Sequence, residues 1–202
     1  MIELVILLLA SYITGSFPTS IIVTRVTKNI DIREHGSGNA GTTNVFRVLG
    51  WKYAIFVLTF DIFKGWLPTA VYATTIFQQL PVPDQGLVQI LCGFAAVFGH
   101  TFPIFAGFRG GKGVSSLIGV LLALFPLALP ICLLVGIVVI ITTGYVSLGS
   151  ISAAVALPII FLIVFSLLVP WFIIYTHRSN ISRIRNGTEN RFEKAIIFKK
   201  KN

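Results

Sequence analysis

An uncharged stretch decides the fold class of this protein, and its first half reads VSSLIGVLLALFPLALPICLLVGIVVIITT (residues 114–143). From residue 113 to residue 177 the chain contains no Asp, Glu, Lys or Arg. About 20 apolar helical residues cross the ~30 Å hydrocarbon core of a bilayer, so this run holds more than one spanning helix. The apolar residues do not alternate with polar ones as barrel strands require. The sequence therefore predicts an all-α, polytopic membrane protein.

The composition excludes a soluble globular protein. Of the 202 residues, 55% are hydrophobic and only 11% are charged, and the mean hydropathy is +0.88. A soluble domain carries about 25% charged residues to cover its surface. Cys92 and Cys132 lie inside apolar stretches and form no CxxC or Cys/His pattern, so we expect neither a metal site nor a disulfide framework. No cofactor is predicted.

The net charge of +9 resembles that of a nucleic-acid-binding protein, but its distribution does not. The Lys and Arg residues lie in short connections beside apolar spans and in the C-terminal tail. These positions are typical of cytoplasmic loops that face anionic lipid and of sites for anionic substrates. We therefore predict contact with the lipid bilayer and with anionic small molecules, and no nucleic-acid binding.

The same basic residues predict the topology. The first span is followed by a basic connection at residues 25–52, so this connection should be cytoplasmic and the N-terminus outside. The loop at residues 78–86 contains no Lys or Arg and should be external, whereas the loop around Arg109 and Lys112 should be cytoplasmic. A basic tail at residues 187–202 places the C-terminus in the cytoplasm as well.

The number of spans follows only in part from these loops. Between Lys112 and the basic tail the chain must cross the membrane an even number of times. Two long crossings predict five spans in total, and four short ones, broken near prolines and glycines, predict seven. Hydropathy does not choose between them. The sequence contains no internal repeat, and we predict one membrane domain over residues 1–202.

Three polar clusters interrupt the apolar sequence on the predicted cytoplasmic side. The first polar loop, residues 36–44, combines glycines, which let the backbone approach a ligand, with hydroxyl and amide donors. Arg47 follows it and can bind a phosphate in a bidentate manner. Its candidate ligand-binding residues are Ser37, Asn39, Gly41, Thr43 and Asn44.

The second polar loop, residues 107–113, comes shortly after His100 and leads into the next helix. Glycines, two cations and a helix N-terminus together favour an anion, because free N–H groups and the helix dipole both attract negative charge. The loop is not a P-loop, since Gly113 follows Lys112 where that motif has Ser or Thr. Its candidate ligand-binding residues are Gly110, Gly111, Lys112 and Gly113.

The third polar segment, residues 175–185, contains the candidate residues His177, Arg178, Asn180 and Arg183. Interpreted as a helix that continues out of the membrane, the segment places His177 and Asn180 on one face. Such a face could bind an anion, or the segment could be an ordinary basic flank of the last span.

Two opposite charges lie inside the second predicted span. Asp61 and Lys64 are three residues apart, and each alone would be costly in the hydrocarbon core. A mutual ion pair reduces that cost. We expect the pair to support the structure.

Together these clusters resemble the bacterial glycerol-3-phosphate acyltransferases of the PlsY type, which use acyl-phosphate as donor. The family patterns SGN-x-GATN-x-x-R, GH-x-x-P with GGKGV, and HR-x-NI-x-R correspond to residues 37–47, 99–103 with 110–114, and 177–183. Asp61-x-x-Lys64-Gly65 also matches. Thr42 stands where the family usually has Ala, and the stretch from 150 to 175 is shorter than is typical. The resemblance covers nearly the whole chain.

The resemblance implies seven spans and a reaction at the cytoplasmic face of a bacterial inner membrane, in which acyl-phosphate and glycerol 3-phosphate give lysophosphatidic acid and phosphate. It implies that the residues in contact with glycerol 3-phosphate are Ser37, Arg47, Lys112, His177 and Asn180. It implies that the acyl-phosphate headgroup is held by Gly41, Thr43, Gly110, Gly111, Ser150 and again Asn180. The predicted substrate-binding set is completed by Asn39, Asn44, His100, Gly113, Arg178 and Arg183.

We expect the glycerol hydroxyl to attack the acyl carbon directly, since acyl-phosphate is already activated and no Ser or Cys stands in a nucleophile pattern. The base is left open between His177 and a phosphate oxygen of the substrate. The basic tail also allows docking of the enzyme that makes acyl-phosphate. The alternative function is a transporter for a phosphorylated metabolite, because broken helices and basic clusters also suit anion transport.

Overall fold

The computed structural model describes residues 2–80, 84–163, 166–167 and 169–188, without the side chains of Val169 and Phe172. The chain divides into two compact units, Met1–Ala154 and Val155–Asn202, and each is described by itself. Residues 189–202 of the predicted basic tail and residues 81–83 of the predicted external loop lie outside the described residues. The single membrane domain stays a prediction.

The first predicted span is two helices, α1 (Ile2–Gly15) and α2 (Thr19–Lys28). Pro18 separates them, because it has no N–H for the helix ladder and disfavours helical geometry in the residue before it. α2 ends at Lys28, and Asn29 caps it in a left-handed conformation with φ of 55° and donates its N–H to the carbonyl of Arg25. The chain then leaves the span for the first basic connection.

The remaining helices of the described residues follow in chain order. They are α3 (Thr42–Leu49), α4 (Trp51–Leu67), α5 (Ala73–Ile76), α6 (Gln85–Thr101), α7 (Val114–Leu124), α8 (Ala128–Thr143), α9 (Val146–Ile163), α10 (Val169–Thr176) and α11 (Arg178–Arg185). A π-helical turn, Pro68–Tyr72, joins α4 to α5, and short 3₁₀ turns lie at Ile32–Glu34, Phe77–Gln79 and Ile104–Ala106. The boundary between the two units falls within α9, and α10 and α11 belong to the second unit.

Several helical stretches are long and apolar enough to cross a membrane, which confirms the predicted fold class at that level. The four long ones are Ile2–Lys28, Trp51–Gln79, Gln85–Ala106 and Val146–Ile163, and two shorter apolar helices are α7 and α8. The regular structure of the described residues is helical throughout. The count of seven spans and the orientation of the termini stay predictions.

Glycines let helices of the first unit touch along their backbones. α1 packs on α6, where a Cβ at Gly15 would meet the carbonyl of Ala96. α4 packs on α7 in the same way, because a Cβ at Gly65 would meet the carbonyl of Ser116, and one at Gly119 the carbonyl of Ile62. In a bilayer, where lipid tails are as apolar as side chains, small residues at the crossing allow the close packing that holds helices together.

We predict that Gly119→Ala destabilises the protein by about 1–3 kcal/mol, the usual cost of overpacking, although alanine favours helix by ~1 kcal/mol over glycine. The new methyl group would displace the carbonyl of Ile62 in α4. Thermal unfolding in detergent measures the effect. Leu122→Ala, on the 45% exposed face of the same helix, is the control and should change stability by less than about 0.5 kcal/mol. A more stable Gly119→Ala variant would contradict the close contact.

Candidate functional site

The first polar loop begins after a 3₁₀ turn and ends at the start of α3. Gly36 and Gly38 have φ angles of 61° and 71°, in the left-handed region that favours glycine. On α3, Val45 is buried whereas Phe46 and Arg47 are exposed, and Ser37 is exposed on the loop. The loop therefore presents a hydroxyl and a guanidinium, both predicted to bind substrate, outside its packed interior.

One buried amide organises this loop. Asn44 is 2% exposed, and its Nδ2 donates to the carbonyls of Ile32 at 3.1 Å, His35 at 2.9 Å and Asn39 at 3.0 Å. Its Oδ1 accepts the N–H of Ser37 at 2.8 Å. The sequence motif predicted a substrate contact for Asn44, and it contains no sign of these four bonds.

A second set of contacts joins the first basic connection to the second polar loop. Arg33 lies 2.7 Å from the carboxylate of Asp31 and donates from Nη1 to the carbonyl of Ala106 at 2.7 Å. The hydrogen bond from Arg33 holds the pKa of the Asp31 carboxyl well below its usual range, and the same bond raises the pKa of the guanidinium. Further along, Thr42 Oγ1 lies 3.4 Å from Ser115 Oγ at the start of α7. The first and second polar loops therefore meet on one side of the first unit.

The glycines of the second polar loop pack against the end of α6. The N–H of Gly110 donates to the carbonyl of Thr101 at 3.1 Å, and that of Gly111 to the carbonyl of His100 at 3.2 Å. A Cβ at Gly111 would meet Nε2 of His100. Both N–H groups are therefore used inside the protein, and close packing on α6 is one reason for glycine at these positions. The predicted contact of Gly110 and Gly111 with substrate stays a prediction.

Lys112 is exposed and reaches toward the start of α9. Its Nζ donates to the hydroxyl of Ser147 at 3.2 Å. Ser150 lies one turn further along α9, where its hydroxyl donates to the carbonyl of Ser147 at 3.0 Å and that of Val146 at 3.2 Å. The structure therefore brings the predicted residues Lys112 and Ser150 to the same end of α7, α8 and α9.

The charge pair predicted in the second span is present and fully enclosed. Nζ of Lys64 lies 2.8 Å from Oδ1 of Asp61, and these residues are 7% and 1% exposed. Lys64 also donates to the carbonyl of Phe17, at the break between α1 and α2, at 2.9 Å. Within the described residues neither carboxylate oxygen of Asp61 has a hydrogen-bond partner. The pair is therefore held by charge.

His100 lies beside this pair. Its Nδ1 is 3.8 Å from Oδ1 of Asp61, and the residue is 5% exposed. The sequence placed His100 with the substrate-binding residues, because it precedes the second polar loop, and no local pattern indicates a partner in another span. A small pocket borders all three side chains and both loops, and it is lined by Phe17, Pro18, Thr19, Ser20, Ile21, Ala40, Asp61, Lys64, His100, Pro103, Gly110 and Gly111.

The third polar segment belongs to the second unit and differs from the predicted continuous helix. His177 forms a turn between α10 and α11, and Ile181 donates its N–H to the carbonyl of His177 at 2.9 Å. Nδ1 of His177 lies 2.8 Å from the carbonyl of Ile173. The guanidinium of Arg178 lies 4.5 Å from the ring centre of Tyr175. The helix is therefore interrupted at the predicted catalytic histidine, which is exposed.

Comparison with known proteins gives a consistent result over the length of the chain. Residues 5–187 match the glycerol-3-phosphate acyltransferase family. A glycerol-3-phosphate acyltransferase of Chlorobium chlorochromatii is 41% identical over 229 aligned positions, which cover 95% of this chain and 97% of that protein. One of Chlorobaculum tepidum is 39% identical over 237 positions and covers 100% of both. Since 237 positions exceed the 202 residues of this chain, that relative contains residues without a counterpart here.

Two solved structures of one protein share the fold. The crystal structure of PlsY (YgiH), an integral membrane glycerol 3-phosphate acyltransferase, in its glycerol 3-phosphate form has a TM-score of 0.69 and 34% identity. The match covers 94% of this chain and 95% of that chain. The lysophosphatidic acid form of that protein gives a TM-score of 0.67 at the same identity.

We predict that the Asp61–Lys64 pair is non-additive. Asp61→Leu and Lys64→Met alone should each destabilise the protein by about 3–5 kcal/mol, because each leaves an uncompensated buried charge. The double variant should be more stable than either single variant, since it buries no charge. Unfolding midpoints of all four proteins in one detergent measure this cycle. Additive losses would show that the two side chains do not compensate each other.

Proposed function

Because the chain belongs to the glycerol-3-phosphate acyltransferase family, we propose that it transfers the acyl group of acyl-phosphate to the sn-1 hydroxyl of glycerol 3-phosphate, giving lysophosphatidic acid and phosphate. The prediction of an integral membrane acyltransferase of phospholipid synthesis is confirmed by that membership and by the match to PlsY. The alternative of a transporter finds no support in either. What we propose is that acyl-phosphate is the donor, that lysophosphatidic acid is the product, and that the residues have the roles given below.

The meeting of the two polar loops is the observation that carries this proposal. Arg47 on α3, just after the first polar loop, and Lys112 in the second polar loop are exposed cations. The Arg33–Ala106 and Thr42–Ser115 contacts join the chain at and beside these two loops. Two phosphate-bearing substrates in one site repel each other, and cations placed beside both offset that repulsion. The apolar helices that carry the loops suit the acyl chain of one substrate, and the exposed loops suit a small soluble second substrate.

The reaction needs no covalent acyl-enzyme. The glycerol hydroxyl oxygen attacks the acyl carbon, a new C–O bond forms, and the bond from that carbon to the phosphate oxygen breaks. Phosphate leaves with the electron pair, and the hydroxyl proton passes to His177 or to a phosphate oxygen. The protein contributes position and charge stabilisation. We propose that Ser37, Arg47, Lys112, His177 and Asn180 bind glycerol 3-phosphate.

The other predicted residues complete the proposal. Thr43, Gly41, Ser150 and Asn180 would hold the headgroup of acyl-phosphate, with Gly110 and Gly111 shaping the second loop by their packing on α6. Arg178 and Arg183 add positive charge in the second unit. Asn39 in the first polar loop and Gly113 at the end of the second complete the proposed substrate-binding set.

We propose a bacterial inner-membrane location with seven spans, the N-terminus outside, and the C-terminus and active site in the cytoplasm. The contact of Lys112 with Ser147 supports that count, because the chain leaves the second polar loop in α7 and returns beside it after α8. This is the behaviour of two short crossings. The basic tail would also face the cytoplasmic enzyme that makes acyl-phosphate.

We predict that the purified protein in detergent forms lysophosphatidic acid from acyl-phosphate and glycerol 3-phosphate without CoA or ATP. Arg47→Ala and Lys112→Ala should each lower kcat/KM at least about 100-fold, since lost charge-assisted contacts with a phosphate cost roughly 3 kcal/mol. Lys52→Ala is the matched control, an exposed cation whose contact is the ring of Trp51. It should retain wild-type turnover. Robust activity in either loop variant would contradict the proposed site.

We predict that His177→Ala lowers kcat about 100-fold or more, the usual contribution of a general base. His35→Ala is the control, because that histidine has no proposed role and its Nδ1 lies 3.0 Å from the carbonyl of Asp31. Near wild-type turnover of His177→Ala would exclude it as base and assign the proton to a phosphate oxygen.

A further inference from the structure

We infer that Asn44 is a positioning residue: it holds Ser37 in register with Arg47 and does not itself bind substrate. The inference rests on the proposed function and revises the substrate contact predicted from the motif. It follows from the bonds that the side-chain amide already makes and from where those bonds lead.

The hydrogen-bonding capacity of the amide is used within the loop. Asn44 has two N–H groups on Nδ2, and they face three carbonyls, those of Ile32, His35 and Asn39, at 2.9–3.1 Å. Oδ1 accepts from Ser37 at 2.8 Å, and the side chain is 2% exposed. A substrate phosphate would have to displace these bonds and enter the packed interior of the loop. A direct contact would therefore destroy the loop that presents Ser37.

These bonds fix the position of Ser37 relative to Arg47, which matters for substrate binding. Asn44 lies in the first turn of α3, three residues before Arg47, and its Oδ1 holds the backbone N–H of Ser37. A single amide therefore ties the exposed hydroxyl residue to the rigid helix that carries the exposed guanidinium. Misplacing one contact of a substrate by about 1 Å can cost 10²-fold in rate.

The backbone around the amide fits it closely. A Cβ at Gly36 would meet Oδ1 of Asn44, and Gly36 has a φ angle of 61°. Glycine is therefore required at this position both by conformation and by space. The presence of glycine at position 36 is therefore explained without a bound ligand.

The rest of the loop is held by other bonds. Ser20 Oγ donates to the carbonyl of Ala40 at 2.7 Å, and Thr42 contacts Ser115. Residues 40–43, which include the positions proposed for acyl-phosphate, therefore keep their own attachments when Asn44 is changed. We accordingly expect a defect that is selective for glycerol 3-phosphate.

Asn44→Ala and Asn44→Asp test the inference. The aspartate keeps an acceptor for Ser37 but presents oxygen, instead of N–H, to three carbonyls. In both variants we expect the KM for glycerol 3-phosphate to rise at least about 10-fold while the KM for acyl-phosphate changes less than about threefold. Ser20→Ala removes a buried bond to the same loop and should leave the KM for glycerol 3-phosphate within about threefold of wild type.

Hydrogen exchange gives a readout that does not depend on activity. The amide of Ser37 should be protected in the wild-type protein and should exchange faster in both Asn44 variants, with α1 and α6 unchanged. A raised KM for glycerol 3-phosphate with unchanged exchange would make Asn44 a direct ligand and overturn the inference. Equal rises in both KM values would also overturn it. If wild-type protein makes no lysophosphatidic acid, the proposed function fails, and unchanged exchange in the variants would still refute the loop-holding role.

Discussion

A charge that is buried among apolar helices needs a partner in place, and the first unit is arranged around one such requirement. Lys64 on α4 reaches Asp61 one turn away and the carbonyl of Phe17 at the end of α1. His100 on α6 borders the same carboxylate, and its own carbonyl receives the N–H of Gly111. The pair therefore connects three spans and the second polar loop, and the next residue, Gly65, is one of the positions where α4 and α7 touch along their backbones.

The glycines of the two polar loops have different structural roles. In the second loop, Gly110 and Gly111 allow the chain to lie directly on the end of α6. In the first loop, Gly36 provides a left-handed turn around the amide of Asn44. In both places these glycines shape the loop through its packing inside the protein. A glycine-rich motif beside cations thus favours an anion site without showing which atoms bind the anion.

Much of the fold was predictable because it depends on local properties of the sequence. The length of uncharged runs indicates membrane helices, and the i, i+3 spacing of Asp61 and Lys64 indicates an ion pair. The partners of Asn44 and His100 were not predictable, because they depend on how a loop folds back and how two distant spans pack. The break at His177 was missed for a similar reason, since no proline or glycine marks it. The three motifs indicated the family correctly, although they do not show which partners a single residue in them has.

The interruption of the first span at Pro18 affects the stability of the buried Lys64. The carbonyl of Phe17 is turned toward Lys64 because the helix stops there. If α1 and α2 were joined into one unbroken helix, that carbonyl would turn to an N–H of its own helix, and the ammonium group would lose its uncharged acceptor. The helix content of the protein would then rise, and its thermal stability would fall. The break in the helix at Pro18 thus helps to solvate the buried ammonium group of Lys64, and closing the break would destabilise the protein.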